Sequence, residues 1–418
     1  MPRRNTYSAA ALLRHGLTGQ PWPANWGYPD PKSRYDVVII GAGGHGLATA
    51  YYLAATHGIT DVCVIERGWL GGGNTGRNTT IVRSNYFYPQ SVALYDLSVR
   101  LYEDLSRDLN YNIMFSQRGV LTLAHTRHDE EMQARWSNAL QISGVKAEQL
   151  SEAEVRERVP LLGPQEALRH PIRGGLFQPA GGIARHDAVA WAYARQAHAM
   201  GVDIVQRCDV EAITTAKGEV TGVRTSRGDI IAERVVICAS AHSGLLAETA
   251  GVSLPITTYT LQAAVTEPLQ PVLDTVVMSS ATGAYLSQSD KGELVMGGAL
   301  DLYPSFSQRA SLPTLEGVMA GVIDLFPTAS RARMLRSWGG SVDVVYDSSP
   351  ILGGCAVEGL ILNCGWGTGG FKAIPAGGAL TAEHVATGRP SEIARPFGLD
   401  RFTTGAFLDE GAASGIAH

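Results

Sequence analysis

The sequence lacks the features that would mark a secreted, nucleic-acid-binding or metal-binding protein. Its 418 residues include five cysteines, and no two of them form a Cys-x-x-Cys pair. Their odd number and wide spacing argue against a disulfide framework and a zinc site, and indicate a reducing compartment. The net charge of −5 gives no reason to expect nucleic acid or an anionic membrane surface as a partner. We therefore predict a cytoplasmic protein without a metal site.

Long uninterrupted hydrophobic runs are also missing. No apolar segment of adequate length follows the basic residues of Met1 to Arg14, so no signal peptide is predicted. The most apolar stretch, Val37 to Ala55, is broken by four glycines and a histidine, which argues against a membrane span. The hydrophobic content of 45% and charged content of 17% are those of a globular protein. A chain of 418 residues is long enough for two or three domains.

What the sequence does contain is a dinucleotide-binding fingerprint. Four β-preferring apolar residues, Val37 to Ile40, precede Gly41, Gly43 and Gly46 at GxGxxG spacing, and a helical stretch follows. The first glycine permits the tight turn, the second lets the backbone approach a pyrophosphate, and the third lets the helix pack close to the strand. The next strand leads into Glu66, 20 residues after Gly46. A carboxylate there accepts hydrogen bonds from ribose hydroxyls and disfavours the 2′-phosphate of NADP.

Two further glycine-rich segments follow the same logic. The segment after Glu66, RGWLGGGNTGRNTT, cannot stay helical and offers an anion-friendly backbone. Nearer the C-terminus a short buried strand, Leu360 to Cys364, runs into GWGTGGFKAIPAGG and then into a helix that begins at Gly378. The amides of this second strand-to-helix turn are expected to point at another part of the same cofactor.

The pattern of strands and helices predicts an α/β fold. It consists of a Rossmann-type dinucleotide-binding domain and an inserted, mostly antiparallel β-sheet domain for the substrate. The first domain is discontinuous, because a buried return strand, Arg234 to Ala239, lies far from the fingerprint. The predicted boundaries are an irregular N-terminal extension over 1–34, the nucleotide-binding domain over 35–112, 150–250 and 346–418, and the substrate domain over 113–149 and 251–345.

Several separated segments resemble one family, the flavin-dependent amine oxidases related to D-amino-acid oxidase. They are GAGGHG with Glu66, the loop NTTIVRSNY, the return strand from Val235 to Gly244, and GWGTGGFKAIPAG. Within this family the sequence looks like the β subunits of heterotetrameric sarcosine oxidases, from about residue 25 to the C-terminus. The segments that carry this likeness are GGNTGRNTTIVRSNY, GIARHDAVAWAYAR, SQSDKGELVMG, RSWGGSVDVVYDSSPIL, NCGWGTGGFKAIP and LDRFTTGAFLDEGAA. The first domain is therefore expected to bind FAD.

The resemblance implies two flavins and a multisubunit complex. Non-covalent FAD is expected on this chain, where sarcosine would be oxidised. FMN is expected on one histidine at the interface with an α subunit, and would pass electrons from FAD to oxygen. The implied products are glycine, hydrogen peroxide and formaldehyde, or 5,10-methylenetetrahydrofolate when tetrahydrofolate is present. The implied partners are α, γ and δ subunits, with tetrahydrofolate and any NAD on the α subunit.

The resemblance also implies which residues hold FAD. They are Gly41, Gly43, Gly44, His45, Gly46, Glu66, Asn74, Arg77, Thr79, Ile81, Val210, Gly367, Gly370 and Lys372. Val210 would meet the adenine through its backbone, and the last three residues would lie beside the isoalloxazine ring. Two assignments stay open, because His45 could be an ordinary exposed loop histidine and Arg77 could form a surface salt bridge.

Arg83 and Lys372 are the candidates for catalysis, since both match the family's carboxylate anchors. A guanidinium provides a bidentate clamp for the carboxylate of a small amino acid, and an ammonium adds a second charge. Nearby cations also lower the pKa of the bound substrate's ammonium, and oxidation needs the neutral amine. The alternative for either residue is a solvated surface cation.

His186, in GIARHDAV, matches the histidine that carries covalent FMN in this family, with His170 as the nearest competitor. From the residues alone, His186 before Asp187 is simply a helix start. One position departs from the single-chain sarcosine oxidases, which have a basic residue beside the flavin where this chain has Thr80. A neutral residue there suggests weak oxygen chemistry at FAD, in agreement with a separate oxygen-reactive FMN.

Two alternatives to sarcosine oxidation stay open. The first is oxidation of another N-alkyl amino acid, such as dimethylglycine or proline, with the same residues. The second is a non-catalytic flavoprotein subunit that relays electrons. The presence of both Arg83 and Lys372 favours an enzyme, because a relay needs no carboxylate clamp.

Overall fold

Helices and strands alternate along the part of the chain that the structure, a computed structural model, describes, which is residues 9–19 and 24–410. The helices are α1 (Ala9–Thr18), α2 (Gly44–His57), α3 (Pro89–Asp108), α4 (Arg127–Ile142), α5 (Glu152–Arg158), α6 (His186–Ala199), α7 (Ser243–Thr249), α8 (Leu312–Leu325), α9 (Ile374–Thr387) and α10 (Arg401–Thr404). The strands are β1 (Arg34–Ile40), β2 (Val62–Glu66), β3 (Ile81–Val82), β4 (Val120–Ala124), β5 (Glu148–Ser151), β6 (Gly174–Gln178), β7 (Gly182–Ile183), β8 (Asp203–Gln206), β9 (Val210–Ala216), β10 (Glu219–Thr225), β11 (Gly228–Ile237), β12 (Ile256–Pro268), β13 (Val276–Ser279), β14 (Ala284–Gln288), β15 (Glu293–Leu300), β16 (Met334–Val345), β17 (Ile351–Gly354) and β18 (Leu360–Cys364).

The first sheet is built around β1, in the strand order β17-β18-β11-β1-β2-β8. β1 pairs in parallel with β2 and β11, so both of its faces are covered. Val37 and Ile39 pack in a core with residues of α2 and α6, while Val38 and Ile40 pack in a second core with residues of β9 and β10. Burial on both faces explains the four consecutive apolar residues of this strand. The Rossmann-type sheet predicted from the sequence is confirmed.

The second sheet is mostly antiparallel, with the strand order β16-β12-β15-β14-β13-β4-β6-β5. The β4–β13 pair is parallel, and the pairs β12–β16 and β4–β6 illustrate the antiparallel remainder. One face carries α8, whose Leu315, Val322 and Leu325 enter the hydrophobic core of this sheet. The inserted antiparallel sheet is therefore confirmed as part of the fold.

Two details of the predicted organisation are wrong. The boundary at residue 150 assigns the following segment to the nucleotide-binding domain, but β5 and β6 pair with each other, and β6 pairs with β4 of the second sheet. The partners of short strands depend on tertiary packing, which the local pattern does not specify. The N-terminal extension is not wholly irregular, since 9–18 form α1 from strong helix formers. Residues 1–8 and 20–23 of that extension lie outside the described residues.

The close packing of α2 against α9 brings the two strand-to-helix turns together. A Cβ on Gly378 would overlap the side chain of Ala48, and a Cβ on Gly44 would overlap that of Ile374. Glycine at these positions lets the two helices approach more closely than larger residues would allow. As a result, the turn after β1 and the turn after β18 line the same cavity.

Candidate active site

A cavity of about 440 Å³ lies between the two sheets and gathers nearly all the residues proposed for the site. Its lining includes Gly41, Gly43, Gly44, His45, Glu66, Asn74, Arg77, Thr79, Ile81, Arg83, Val210, Gly367, Gly370 and Lys372. Gly46 and His186 are not part of the lining. The first three glycines after β1 thus form a cavity wall of bare backbone, where a large ligand can approach closely.

The turn after β1 depends on glycine for two separate reasons. Gly41 has a φ of 109°, in the region that favours glycine, and its missing side chain leaves room for the carbonyl oxygen of Cys238. A Cβ on Gly46 would overlap the carbonyl oxygen of Gly41, so this glycine packs the helix onto the turn. Its position outside the cavity lining agrees with a packing function. The amide of Gly44 donates to the hydroxyl of Thr75 at 2.9 Å. The sequence analysis did not identify Thr75.

Glu66 ends β2 beside this turn and holds two backbone amides. Its Oε2 accepts from the amide of Ala42 at 3.1 Å, and its Oε1 accepts from the amide of Gly68 at 2.8 Å. Val210, the first residue of β9, is also buried in the lining. The carboxylate therefore lies at the edge of the cavity next to the glycine turn, as the ribose interaction requires.

His45 is not an exposed loop histidine. Its ring stacks on Trp366 with a centroid separation of 4.4 Å, and its Nε2 lies 2.9 Å from the carbonyl oxygen of Gly370. Burial lowers the pKa of His45 to about 4, against the opposing effect of the Gly370 hydrogen bond. A neutral imidazole therefore joins the turn after β1 to the turn after β18.

The loop before β3 is held to the second sheet by its own polar side chains. The Nδ2 of Asn74 donates to Ser240 Oγ at 2.8 Å and to the backbone of β16. The guanidinium of Arg77 donates to the carbonyl oxygens of Gly72 and Gly73 rather than to a carboxylate. Within the described part of the chain, Arg77 therefore does not form the surface salt bridge that was its alternative assignment. The hydroxyl of Thr79 donates to that of Tyr285 at 2.9 Å.

Thr80 has a backbone conformation that is rare for a β-branched residue. Its φ is 71°, a conformation that costs energy and persists only where surrounding contacts impose it. The contacts are a hydrogen bond from the Thr80 amide to Asn78 Oδ1 and one from the Ala184 amide to the Thr80 carbonyl oxygen at 3.1 Å. Thr80 thus joins the loop that lines the cavity to the segment just before His186.

Arg83 and Lys372 are both buried cations in the cavity wall, with 2% and 7% of their surface exposed. The Nη1 of Arg83 donates to the carbonyl oxygen and to Oδ1 of Asn85, at 3.0 and 2.9 Å. Lys372 Nζ donates to the carbonyl oxygen of Thr368 at 2.9 Å. Burial, and next the charge of Arg83, hold the pKa of Lys372 well below its usual value. Neither residue is a solvated surface cation, which was the alternative for both.

Asp343 is a site residue that the sequence analysis missed. It lies in β16, and its Oδ2 accepts from the Gly365 amide at 2.6 Å while its Oδ1 accepts from Ser240 Oγ at 3.2 Å. Burial raises the pKa of Asp343 to about 6, although these hydrogen bonds oppose the increase. An acid flanked by valines within a strand, in GGSVDVVY, is the signal that would have pointed to it. The carboxyl group fastens the turn after β18 to the second sheet.

His186 is the first residue of α6 and lies outside the cavity lining. Its Nδ1 is buried and has no hydrogen-bond partner among the described residues. Burial lowers the pKa of His186, with a smaller opposing effect from Asp187. His170 lies elsewhere, and its carbonyl oxygen is 3.0 Å from Nδ1 of His125. Of the two histidines, His186 is the one with a buried ring nitrogen that lacks a hydrogen-bond partner among the described residues.

Comparison with known proteins decides the family. The model of the FAD-dependent oxidoreductases matches residues 36–384. The chain belongs to the FAD-dependent oxidoreductase family. The sarcosine oxidase subunit beta of Rhodobacter capsulatus is 50% identical over 99% of both chains. That of an Arthrobacter species is 48% identical over 94% of this chain and 97% of the relative. The resemblance to sarcosine oxidase β subunits is thereby confirmed.

Two solved structures share the fold. The L-proline dehydrogenase of P. horikoshii superposes with a TM-score of 0.84 at 26% identity, over 90% of this chain and 99% of that one. The glycine oxidase of Geobacillus kaustophilus superposes with a TM-score of 0.77 at 23% identity, over 88% of this chain and 99% of that one.

Within residues 9–19 and 24–410, no helix is long and apolar enough to cross a membrane.

The residues present fit the FAD on which the family depends. Bare backbone at Gly41, Gly43 and Gly44 lines one part of the cavity, at the N-terminus of α2, where a helix favours a pyrophosphate. Glu66 lies beside this turn as a ribose acceptor. Two further backbone-lined positions, Gly367 and Gly370, adjoin Lys372 and Arg83 in the same cavity. A single cavity therefore offers a nucleotide end and a cationic end.

Proposed function

We propose that this chain is the β subunit of a sarcosine oxidase complex and oxidises sarcosine to glycine. The proposed reaction consumes sarcosine, oxygen and water and yields glycine, formaldehyde and hydrogen peroxide. When tetrahydrofolate is bound, it is consumed in place of water and 5,10-methylenetetrahydrofolate forms in place of formaldehyde. The observation that carries the proposal is the pair of buried cations, Arg83 and Lys372, at one end of a cavity that fits FAD. Relatives named sarcosine oxidase subunit beta, 48–50% identical over nearly the whole chain, support this choice of substrate.

The two cations have defined tasks in this proposal. Arg83 and Lys372 bind the substrate carboxylate, since a guanidinium forms paired charge-assisted hydrogen bonds and an ammonium adds a second charge. Their positive charge also lowers the pKa of the substrate's ammonium, which supplies the neutral amine that the oxidation requires. Bound FAD supplies the electron acceptor for this chemistry. Burial of both cations strengthens their interaction with the carboxylate because little water competes for it.

Each of the two sheets forms the centre of one proposed domain. The first sheet and its glycine turns form the FAD-binding domain, and the second sheet, with β5 and β6 included, forms the substrate domain. Residues 1–34 are the proposed extension. The cavity lies between the two sheets, with Leu261 and Tyr285 of the second sheet in its wall.

His186 is the proposed attachment site of FMN, at an interface with the α subunit. Its buried Nδ1 without a partner fits a covalent bond to the flavin or a contact with it. Thr80 lies between the cavity loop and the His186 segment. It is neutral where the single-chain sarcosine oxidases have a basic residue beside the flavin, which supports a separate flavin as the group that reacts with oxygen. The remaining proposed partners are the γ and δ subunits, with tetrahydrofolate and any NAD on the α subunit. All five cysteines are free, which agrees with the proposed cytoplasmic location.

Other N-alkyl amino acids are the second candidate substrates. The likeness to an L-proline dehydrogenase structure favours proline, and a 27% identical dimethylglycine dehydrogenase from Rattus norvegicus favours dimethylglycine. The same carboxylate clamp would serve both. A subunit that only relays electrons is the alternative of a different class.

Anaerobic mixing of the co-purified complex with substrate tests the proposal. Sarcosine should bleach the FAD absorbance faster than dimethylglycine or proline at equal concentration, and sarcosinamide, which lacks the carboxylate, should bleach it slowly. Fastest bleaching by proline or dimethylglycine would assign that substrate instead. The absence of bleaching by all three acids would leave electron relay as the function.

A further inference from the structure

A buried carboxylate near the C-terminus holds the start of the helix that supports the cationic end of the cavity. Glu410, only 1% exposed, directs its side chain at the N-terminus of α3, more than 300 positions earlier in the sequence. Its Oε1 accepts from the Tyr88 amide at 2.9 Å and its Oε2 from the Phe87 amide at 3.2 Å. The hydroxyl of Ser91 also hydrogen-bonds to the carboxylate.

Helix α3 has no local side chain for this task. Its N-cap is Tyr88, which makes no side-chain capping bond, and the next residue is Pro89. The first amides of a helix need acceptors from outside the helix, and a carboxylate suits them because the N-terminus carries a partial positive charge. Glu410 therefore accepts from the N-cap amide, a contact that a Glu or Gln three residues after the N-cap would ordinarily make in a capping box, and it does so from the far end of the chain.

The tail that carries Glu410 is itself fixed. Arg401 forms a buried two-point ion pair with Asp347, at 2.7 and 3.0 Å, and both side chains are 2% exposed. The hydroxyl of Ser349 donates to the carbonyl oxygen of Leu408 at 2.6 Å, and the Glu410 amide donates to that of Asp347 at 3.2 Å. These contacts set the position of the carboxylate relative to the first sheet.

Helix α3 in turn contacts a neighbour of each clamp residue, Tyr86 beside Arg83 and Phe371 beside Lys372, through aromatic side chains. Tyr95 stacks on Tyr86 at 3.7 Å between centroids, and the guanidinium of Arg83 lies 4.7 Å from the centre of the Tyr86 ring. Further along α3, the hydroxyl of Tyr102 donates to the carbonyl oxygen of Phe371 at 2.7 Å, next to Lys372. One helix thus determines where both cations lie.

We propose that Glu410 is a positioning residue for the substrate carboxylate site, because it fixes α3 and thereby the spacing of Arg83 and Lys372. This inference rests on the proposed function, in which those two cations bind the carboxylate. Glu410 is not among the residues that line the cavity. Its own negative charge opposes carboxylate binding, so a purely electrostatic effect of removing it would tighten binding, whereas loss of positioning weakens it.

The test uses the complete co-purified complex with Glu410→Ala and Glu410→Gln. The probe is methylthioacetate, a carboxylate in which a thioether replaces the amine, titrated by its perturbation of flavin absorbance. We expect about tenfold weaker binding in Glu410→Ala, since small misplacements of a clamp are costly, and a smaller loss in Glu410→Gln, which keeps one acceptor. FAD content should not change, and the preference for sarcosine over sarcosinamide in anaerobic bleaching should fall.

Two controls separate positioning from charge and from general stability. Asp409→Asn removes one negative charge from the exposed neighbouring residue and should leave the dissociation constant unchanged. Glu154→Gln weakens the capping box that Ser151 and Glu154 form on α5, so it should lower thermal stability without changing probe affinity.

Unchanged or tighter probe binding in Glu410→Ala would overturn the inference, as would a loss of affinity that Asp409→Asn reproduces. If the alanine variant does not accumulate, Glu410→Gln decides, and wild-type affinity in that variant counts against the proposal. Failure of the proposed function gives a different result, namely a wild-type complex whose FAD sarcosine does not bleach.

Discussion

At the scale of single residues, Lys372 has the property that most directly affects the proposed chemistry. Burial, and then Arg83, lower its pKa, so in the free protein it loses its proton at a lower pH than an exposed lysine. A bound carboxylate favours the protonated form. Affinity for a carboxylate is therefore highest below the lowered pKa and falls as the pH rises through it.

The prediction for Lys372 is a pH-dependent dissociation constant of methylthioacetate. Above the lowered pKa, affinity in the wild type should fall by up to about tenfold per pH unit, as expected for one linked proton. Lys372→Met should bind the probe more weakly at low pH and show a flatter profile. The exposed Lys146→Met serves as the control and should keep the wild-type profile. A wild-type profile in Lys372→Met would remove this lysine from the carboxylate site.

Glu66 allows a second prediction at this scale. Glu66→Ala should weaken FAD binding by about 1–3 kcal/mol, because charge-assisted hydrogen bonds to the ribose are lost together with those to the Ala42 and Gly68 amides. FAD released during dialysis, measured by absorbance, gives the result. Glu233→Ala removes an exposed carboxylate that pairs with Arg34 and should release no additional FAD. Equal retention by Glu66→Ala and wild type would place the ribose elsewhere.

The residues that the sequence could and could not reveal differ in the range of their interactions. Gly41, Gly43, Gly46 and Glu66 act within one β-α-β unit, so spacing alone identified them. The environment of Asp343 depends on the turn after β18, which belongs to the other sheet. Burial of a polar group against partners distant in sequence leaves only a weak local signal.

At the scale of elements, the turn after β1 makes a sharp prediction. Gly46→Ala would place a Cβ against the carbonyl oxygen of Gly41, where neither backbone can move easily. We expect a loss of about 1–3 kcal/mol in the free energy of unfolding, as for other overpacked sites, together with poorer FAD retention. Thermal unfolding and flavin content are the measurements.

The control for this glycine is Gly317, which lies in α8, where an added Cβ meets nothing within 4 Å. Gly317→Ala should be neutral or stabilising by up to about 1 kcal/mol, because alanine is the better helix former. Normal stability and FAD content in Gly46→Ala would show that α2 can shift away from the turn without consequence.

Helix α9 illustrates why the start of a helix can be predicted wrongly from the sequence. The pattern IPAGG predicts a turn, and the helix is expected from Gly378, yet it starts at Ile374. Its glycines are needed for close contact with Ala48 of α2, and packing between helices outweighs their poor intrinsic helix propensity. The helices α3 and α8 depend less on such contacts. The sequence predicts helices over Gln90 to Arg107 and Thr314 to Leu325, and these limits lie within two residues of those observed.

At the scale of the whole molecule, the two proposed flavin positions lie on separate segments that a backbone hydrogen bond joins. The loop that lines the FAD cavity passes through Thr79 to Thr80, and Thr80 accepts a hydrogen bond from Ala184, two residues before His186. His186 itself lies outside that cavity. Loss of FMN should therefore leave the first flavin and its substrate site intact.

The prediction for His186 follows from this separation. His186→Asn should abolish covalent flavin on this chain and most oxidase turnover, while FAD stays bound and is still bleached by sarcosine without oxygen. Flavin fluorescence of the denatured chain on a gel, and the mass of the peptide that contains residue 186, provide the measurement. His170→Asn is the matched control, since the His170 ring lies near that of His125, and it should keep both flavins and full turnover. Covalent fluorescence that survives in His186→Asn, or that disappears in His170→Asn, would contradict the assignment.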